Sequence, residues 1–292
     1  MRIVEKLEDA AAWCGRYRAS GLSVGFVPTL GALHRGHASL LERARAECDR
    51  AVASIFVNPT QFGPGEDFTA YPRPREKDLA LCRAAGVDLV YLARAEEIYP
   101  PGFQTWVTVE EVSKPLCGVS RPIHFRGVAT VVTQLFAVVR PHRAYFGAKD
   151  YQQTLVVRRL VADLHLDTEV RVEPTVREAD GLAMSSRNAY LDAEARSAAP
   201  RIRAALLAAR TRVLEGETRT AAVLDRLREV LRPDALLELE YAEVRDATTL
   251  QEFPDGVVRS TPGGVVIAVA ARAKGTRLID NVVIPPDGPA SP

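Results

Sequence analysis

Two histidines stand three residues apart in the segment "VGFVPTLGALHRGH", where an apolar run gives way to a proline and two glycines. Imidazoles at positions i and i+3 of a helix share one face. Taken alone, His34 and His37 could cap and pack the start of a helix, ligate a metal, or stabilise charge developing on a phosphoryl group. The sequence offers no third ligand at a suitable spacing, which argues against zinc.

The place of this pair in the chain is compatible with phosphate chemistry. Residues 23–27 form an apolar run that predicts a buried strand, and residues 36–48 have helical periodicity. In a parallel α/β sheet, ligands bind at the carboxyl ends of the strands, where helix N-termini offer free N–H donors. Gly31 and Gly36 would let the backbone approach a nucleotide closely. Phosphate chemistry therefore stays open at this point beside the capping and packing role, which is the commoner one for two histidines at this spacing.

The elements that must position these histidines alternate between strand and helix. This alternation predicts an α/β fold, a Rossmann-like doubly wound parallel sheet with right-handed crossovers. The predicted strands are 23–27, 51–57, 87–93, 144–147 and 168–176, and the predicted helices are 36–48, 75–86, 128–140 and 150–164. The stretch 58–74 is rich in proline and glycine, and its length is typical of a functional loop such as a lid.

The composition changes near residue 176. Residues 193–215 and 218–231 are rich in alanine, leucine and arginine and predict helices, whereas 236–246 and 264–284 predict strands. We therefore expect three parts. They are a Rossmann-like domain over 1–175, a smaller C-terminal α+β domain over 176–284 and a disordered tail over 285–292.

Charge and cysteine content narrow the class of protein. The chain has 38 basic and 37 acidic residues, which does not favour a nucleic-acid or membrane-surface binder. Its four cysteines are scattered singly without a CxxC pair, as is typical of a reducing compartment. The N-terminal segment lacks the apolar block of a signal peptide, and no apolar run approaches membrane-spanning length. These features predict a cytoplasmic protein.

Five segments carry a resemblance to a known family. "PTLGALHRGH" resembles the HxGH signature of the nucleotidyltransferase superfamily, and in detail that of the pantoate–β-alanine ligase family. "FVNPTQFGPGEDFTAYPR", "HFRGVATVV", "YFGAKDYQQ" and "MSSRNAYL" follow in the order in which that family has them. The five blocks run from Val27 to Leu191, and together they are far more specific than an HxGH motif alone.

The resemblance implies a two-step ligation that consumes ATP. Pantoate attacks the α-phosphate of ATP to give pantoyl adenylate and pyrophosphate, and β-alanine then displaces AMP to give pantothenate. The family's catalytic groups correspond to His34, His37 and Lys149, with His37 as the proton donor. Pantoate contacts correspond to Gln61 and Gln153, and Gln61 also to β-alanine. The ATP-binding positions correspond to Leu30, Gly31, Ala32, Leu33, His34, Arg35, Gly36, His37, Gly147, Ala148, Lys149, Asp150, Val176, Met184, Ser185, Ser186 and Arg187.

Several of these residues also have a purely structural interpretation. Lys149 could be a solvated lysine, although its place after an apolar strand favours a phosphate contact. Asp150 contacts the nucleotide or caps the following helix. Gln61 could be an exposed loop residue, and residues 185–187 could form an interdomain turn with a surface arginine.

Helical side chains near the expected pantoate site carry similar alternatives. Val128, Val131 and Val132 either line the wall that receives the gem-dimethyl group of pantoate or pack in the core. Gln152 is predicted to face away from Gln153, since adjacent helix positions do not share a face.

The chain departs from the family's usual pattern at three positions. Leu30 replaces a methionine, Thr60 an apolar residue and Ala148 a glutamate, and none of these changes removes a group that the chemistry needs. The resemblance further implies Mg²⁺ carried by the ATP phosphates rather than an all-protein metal site, and a homodimer.

Two other functions compete with the ligase. A cytidylyltransferase or another enzyme of the same superfamily would share the HxGH motif but would not explain the paired glutamines Gln61 and Gln153. A non-catalytic nucleotide-binding module would need neither Lys149 nor both histidines, and all three residues are present.

Overall fold

The computed structural model describes residues 1–232 and 235–286. The chain divides into two compact units. The first comprises residues 1–114 and 118–176, and the second comprises residues 115–117 and the chain from Arg177 onward. The domain limits 1–175 and 176–284 stay a prediction, because compactness alone does not show that either part folds on its own. Of the expected tail, residues 287–292 lie outside the described residues.

The first unit contains a six-stranded parallel sheet with flanking helices, which confirms the predicted fold class. Its strands are β1 (Arg2–Val4), β2 (Val24–Thr29), β3 (Arg50–Ile55), β4 (Leu89–Leu92), β5 (Arg143–Gly147) and β6 (Glu169–Glu173). The helices up to residue 176 are α1 (Leu7–Ala19), α2 (Arg35–Glu47), α3 (Arg75–Ala84), α4 (Ala95–Ile98), α5 (Cys117–Ser120), α6 (His124–Val139) and α7 (Tyr151–Asp163).

The strand order β1-β4-β3-β2-β5-β6 places a topological switch point between β2 and β5. From β2 the chain adds β3 and β4 on one side, and it then returns to add β5 and β6 on the other. Open α/β sheets bind ligands in the crevice at the carboxyl ends of the strands that flank such a point. Here those ends are Thr29 and Gly147.

β2 continues beyond the proline at which the sequence predicted it to end. Its pairing with β5 covers only Gly25 and Phe26, whereas its pairing with β3 runs on to Thr29. Pro28 cannot donate a backbone hydrogen bond, and it lies in the part of β2 that no longer pairs with β5. The two strands therefore part at their carboxyl ends, where the crevice begins.

A separate antiparallel sheet of order β7-β8-β9 forms the second unit together with helices. The helices are α8 (Ala193–Ala198), α9 (Arg201–Leu214) and α10 (Thr220–Leu231), and the strands are β7 (Leu237–Asp246), β8 (Val265–Ala273) and β9 (Thr276–Ile284). The predicted helix 193–215 is wrong as a single element, because Pro200 separates α8 from α9. β8 and β9 form a hairpin, with Lys274 and Gly275 both at positive φ.

Each unit has its own apolar core. Phe26, Val52 and Leu89 of the parallel sheet pack with residues of α1 and α6. In the second unit, Ile202, Leu206, Leu227 and Ile267 belong to one buried cluster formed by the helices and the sheet. Among the described residues, no helix has both the length and the apolar character needed to cross a membrane.

Candidate active site

The two histidines form a reciprocal cap at the start of α2. His34 occupies the N-cap, and its Nδ1 accepts a hydrogen bond from the Gly36 N–H at 3.1 Å. The N–H of His34 in turn donates to Nδ1 of His37 at 3.3 Å, and the two ring centroids are 4.1 Å apart. Because both Nδ1 atoms accept, each neutral ring carries its proton on Nε2, which leaves Nε2–H as the donor on each ring.

Gly36 is what allows the His34 ring to lie against the first turn of α2. A Cβ at this position would approach Cε1 and Nδ1 of His34 to 2.9 and 3.0 Å, so any side chain here would displace the ring. The same hypothetical atom would lie 3.8 Å from Cβ of Val176, which places the predicted adenine-contact residue beside the histidine loop. Glycine is therefore required at this position of the HxGH motif for a steric reason.

The environment of His37 keeps its imidazole neutral. Burial lowers the pKa of His37 to about 3, the adjacent His34 ring and Lys149 act in the same direction, and Asp150 opposes them. A neutral imidazole can donate a hydrogen bond through Nε2 but carries no charge at pH 7. The role of His37 as a proton donor stays a prediction.

The loop that leads from β2 to the histidines is held by Asp78 of α3. The Ala32 N–H donates to Oδ2 of Asp78 at 2.9 Å, and the Leu33 N–H donates to Oδ1 at 2.7 Å. Asp78 is only 1% exposed, and the loop passes through positive φ at Gly31 and Ala32. Sequence reasoning missed this residue, although a carboxylate next to Leu79 on the apolar face of a predicted helix was a signal.

The loop after β5 brings a lysine to the same place. Lys149 lies in the short 3₁₀ turn Ala148–Asp150, with its Nζ 3.4 Å from Oδ1 of Asp150. Asp150 stands at the N-cap position of α7, but within the described part of the chain its side chain does not cap that helix. Both residues act on the pKa of His37, so the ends of β2 and β5 supply one cluster of polar groups.

Gln61 belongs to a buried polar network, so its interpretation as an exposed loop residue is wrong. Gln61 is 6% exposed, and its Oε1 accepts from Nδ2 of Asn58 at 3.2 Å. Its backbone carbonyl accepts from Nδ1 of His124 at 2.9 Å and from the Arg121 guanidinium at 3.1 Å. Gly127 lets the peptide bond between Thr60 and Gln61 lie against α6, since a Cβ at Gly127 would lie 2.5 Å from the Thr60 carbonyl oxygen.

Arg121, His124 and Asn58 are polar residues that sequence reasoning did not single out. Arg121 forms an ion pair with Glu66, which ties the start of α6 to the proline-rich loop. Burial and the Arg121 charge lower the pKa of His124 to about 3, and Asp150 acts in the opposite direction. The charge of Asp150 acts to raise the pKa of both His37 and His124, which indicates that the histidine loop and the polar network around Gln61 are neighbours. The "HFRG" block was the available signal for His124.

The remaining predicted residues of the first unit have mixed surroundings. Gln153 is half-buried on α7, while Gln152 is buried and donates through Nε2 to the Val112 carbonyl at 3.0 Å. Val128, Val131 and Val132 belong to one of the two buried apolar clusters of the first unit, a location that favours their interpretation as core residues.

The "MSSR" segment lies in the second unit, where several polar contacts hold it. Oγ of Ser185 accepts from the Arg187 N–H at 3.3 Å and caps a short 3₁₀ turn, Ser186–Tyr190. Upstream, Arg177 makes a two-pronged contact to Asp280 at 2.7 and 2.9 Å. Met184 is half-buried between these two points.

No group of three or more His, Cys, Asp or Glu side chains arranged to hold a metal ion occurs among the described residues. The cationic and N–H donor groups of the crevice suit an anion instead.

Comparisons with known proteins agree with this architecture. The family model described as pantoate-beta-alanine ligase matches residues 2–283. The pantothenate synthetase of Herpetosiphon aurantiacus is 51% identical over 97% of this chain and 100% of its own length, and that of Geobacter sulfurreducens is 48% identical over 97% and 99%.

Solved structures show the same likeness. The crystal structure of pantothenate synthetase from Thermus thermophilus has a TM-score of 0.90 and 48% identity, covering 98% of this chain and 100% of that one. The pantoate-beta-alanine ligase of Francisella tularensis, complexed with beta-gamma ATP and beta-alanine, has a TM-score of 0.77 and 30% identity, with 97% of each chain covered.

Proposed function

This chain belongs to the pantoate–β-alanine ligase family, and we propose that it condenses pantoate with β-alanine to give pantothenate, AMP and pyrophosphate from ATP. The observation that carries the proposal is the pair of Nε2–H donors and the ammonium of Lys149 at the switch point between β2 and β5.

In the first step, a carboxylate oxygen of pantoate forms a bond to the α-phosphorus of ATP. The bond from that phosphorus to the bridging oxygen breaks, and pyrophosphate leaves. An ionised carboxylate needs no general base, so this step needs positioning and charge neutralisation. His34 and His37 would donate hydrogen bonds to the phosphate oxygens, and Lys149 would supply a positive charge to the same group.

In the second step, the amine of β-alanine attacks the acyl carbon of the adenylate. The new C–N bond replaces the bond to the AMP oxygen, AMP leaves, and the amine loses a proton. Gln61 and Gln153 would hold the hydroxyl and carboxyl oxygens of pantoate, because a neutral amide both donates and accepts. Gln61 would also contact β-alanine.

The nucleotide contacts come from three segments. The backbone of the loop Leu30–Leu33, with Arg35, Gly36 and Gly147, would lie along the nucleotide, and Val176 would bind adenine through its backbone. Ser185, Ser186 and Arg187 of the second unit would contact the phosphates, since hydroxyl and guanidinium groups suit polyphosphate. ATP would enter as its magnesium complex, with the phosphate oxygens as the main ligands.

The first test is pyrophosphate release from magnesium-ATP and D-pantoate, with and without β-alanine. Up to about one equivalent of pyrophosphate from pantoate alone, followed by AMP only when β-alanine is added, supports the two-step ligase. If pantoate elicits no pyrophosphate and a different acceptor does, the chain is another nucleotidyl-transferring enzyme of this fold.

We further propose a cytoplasmic homodimer without nucleic-acid or membrane partners. Sedimentation equilibrium tests the assembly, since one chain has a mass of 31.9 kDa. A particle of about twice that mass supports the dimer, and a particle of single-chain mass at micromolar concentration contradicts it.

A further inference from the structure

We propose that Asp78 is a positioning residue that fixes the loop from which both histidines project. The inference rests on the proposed function in that these histidines act on the phosphates. Asp78 itself would touch no substrate and would act through the backbone of residues 31–33.

The carboxylate of Asp78 is committed to this loop through both of its oxygens. Oδ2 accepts from the Ala32 N–H at 2.9 Å and Oδ1 from the Leu33 N–H at 2.7 Å. In the ranges that the structure describes, no lysine or arginine is paired with it. A buried carboxylate without a cation partner is costly, and hydrogen bonds to its charged form reduce that cost. These two amides supply such bonds.

The loop has a conformation that needs external support. Gly31 and Ala32 adopt φ of +86° and +50°, and a left-handed conformation is unfavourable for alanine. Such conformations persist where the surroundings over-determine them. The contact is also close, since a Cβ on Gly31 would lie 3.1 Å from Oδ2 of Asp78. The carboxylate therefore selects one arrangement of two successive amides.

The position of these two amides determines where the side chains of His34 and His37 lie. Leu33 precedes His34, whose carbonyl accepts the His37 and Ala38 N–H groups at 2.8 and 3.0 Å to begin α2. The His34 N–H also donates to the His37 ring. A displacement of the Leu33 peptide would therefore move both imidazoles, and a misplacement of about 1 Å can cost about 100-fold in rate.

Replacement of Asp78 by asparagine tests this role most directly, because asparagine has nearly the same size but can accept a hydrogen bond through only one of its two terminal atoms. In Asp78→Asn, the NH₂ group would face one of the two backbone N–H donors. Glu76→Gln is the matched control, since Glu76 is an exposed carboxylate in the same first turn of α3. It removes the same favourable charge from the N-terminus of the helix.

The experiment measures pyrophosphate formation from ATP and pantoate, thermal unfolding, and ¹⁵N chemical shifts of the histidine rings. For Asp78→Asn we expect kcat to fall about 100-fold, KM values to change less than fivefold, and the Nδ1 resonances of His34 and His37 to shift. Glu76→Gln should resemble the wild type. Wild-type kcat in Asp78→Asn, or a loss that matches the unfolded fraction, would overturn the proposal.

Hydrogen exchange in the wild-type protein gives an answer even if Asp78→Asn does not fold. The amides of Ala32 and Leu33 should exchange at least 100-fold more slowly than unprotected amides, and exchange at the unprotected rate would contradict the inference. If the wild type forms no pyrophosphate, the proposed function fails. The ring shifts and amide protection still test the positioning role of Asp78 in that case.

Discussion

The two segments expected to contact phosphate are supported in different ways. In the first unit, the loop before α2 is held by the buried Asp78 carboxylate, which accepts backbone N–H groups. In the second unit, the segment 177–190 is held by charged side chains. Arg177 pairs with Asp280, and Arg196 pairs with both Glu178 and Asp180.

This difference has a physical consequence for how each segment responds to solution conditions. Backbone hydrogen bonds to a buried group are little affected by salt, whereas partly exposed ion pairs are screened. The Arg177–Asp280 pair is intermediate, because Asp280 is only 4% exposed but its partner reaches the surface. All five histidines of the chain precede residue 176, so the two units also differ in their response to acid.

The largest effect is expected from removing the groups of the first unit that would face the phosphates. His37→Ala and Lys149→Ala should each lower the rate of adenylate formation by about 100- to 1,000-fold, because in the proposed mechanism each would remove a donor to developing charge. Pyrophosphate release measures this step. Lys77→Ala, at an exposed lysine of α3, is the charge-matched control for Lys149. Near-normal turnover in either variant removes that residue from the mechanism.

Breaking the central ion pair of the second segment should have the next largest effect. Asp280→Asn leaves the Arg177 guanidinium without its charged partner, and we expect a loss of about 3 kcal/mol in the free energy of unfolding of the second unit. The KM for ATP should rise as well. Chemical denaturation, monitored by hydrogen exchange of the amides of the second unit, measures this loss of stability. Asp225→Asn, in a surface pair with Arg228, should change stability by less than about 1 kcal/mol. Equal effects in the two variants would contradict this account.

Acid should weaken the first unit before the second. The pKa of His37 and that of His124 are lowered to about 3 from an ordinary value of 6.5, so between these values the unfolded chain binds protons that the folded chain does not. Stability therefore falls as the pH decreases below 6.5, by about 2 kcal/mol per histidine at pH 5. Fluorescence of Trp13 and Trp106, both in the first unit, reports the loss.

The same acid titration contains its own control. Arg196 lowers the pKa of Asp180, so this ion pair of the second unit persists well below pH 5. His124→Gln should flatten the slope of stability against pH in the first unit. An unchanged slope would mean that His124 titrates normally in the folded chain.

The smallest effect is expected at the partly exposed contacts of the second segment. Glu178→Gln removes one partner of Arg196 but keeps a hydrogen-bonding side chain beside Asn188, so we expect less than about 1 kcal/mol. The loss of stability caused by Glu178→Gln should shrink further in 1 M salt, whereas any loss of stability caused by Asp78→Asn should not depend on salt. Denaturant midpoints at low and high salt measure both. A salt-independent Glu178→Gln effect would remove the contrast between the two segments.

The sequence predicts the parallel sheet and the location of the histidines because both depend on local patterns. Apolar runs of strand length mark β2 to β5, and the HxGH block follows β2 directly. The three-residue β1 escaped prediction because so short a strand carries no periodicity. The break at Pro200 was missed because the composition on both sides of it favours helix.

The residues that hold the site could not be found in this way. Asp78 lies more than 40 positions from the amides that it accepts, and Gln61 is 63 positions from His124. Such contacts depend on which strands become neighbours, and single-sequence periodicity does not specify that. The parting of β2 from β5 beyond Phe26 likewise becomes visible only when the register of the whole sheet is known.

Residues 115–117 make the two units discontinuous in sequence. They belong to the second unit although the first unit continues on both sides of them, so the chain crosses between the units three times. Cys117 is buried there, accepting from the Arg277 guanidinium at 3.3 Å and lying 3.6 Å from the Tyr241 hydroxyl. A single cut after Val176 therefore cannot yield two complete parts. Recombination between relatives at that point would pair each second unit with residues 115–117 of a different protein.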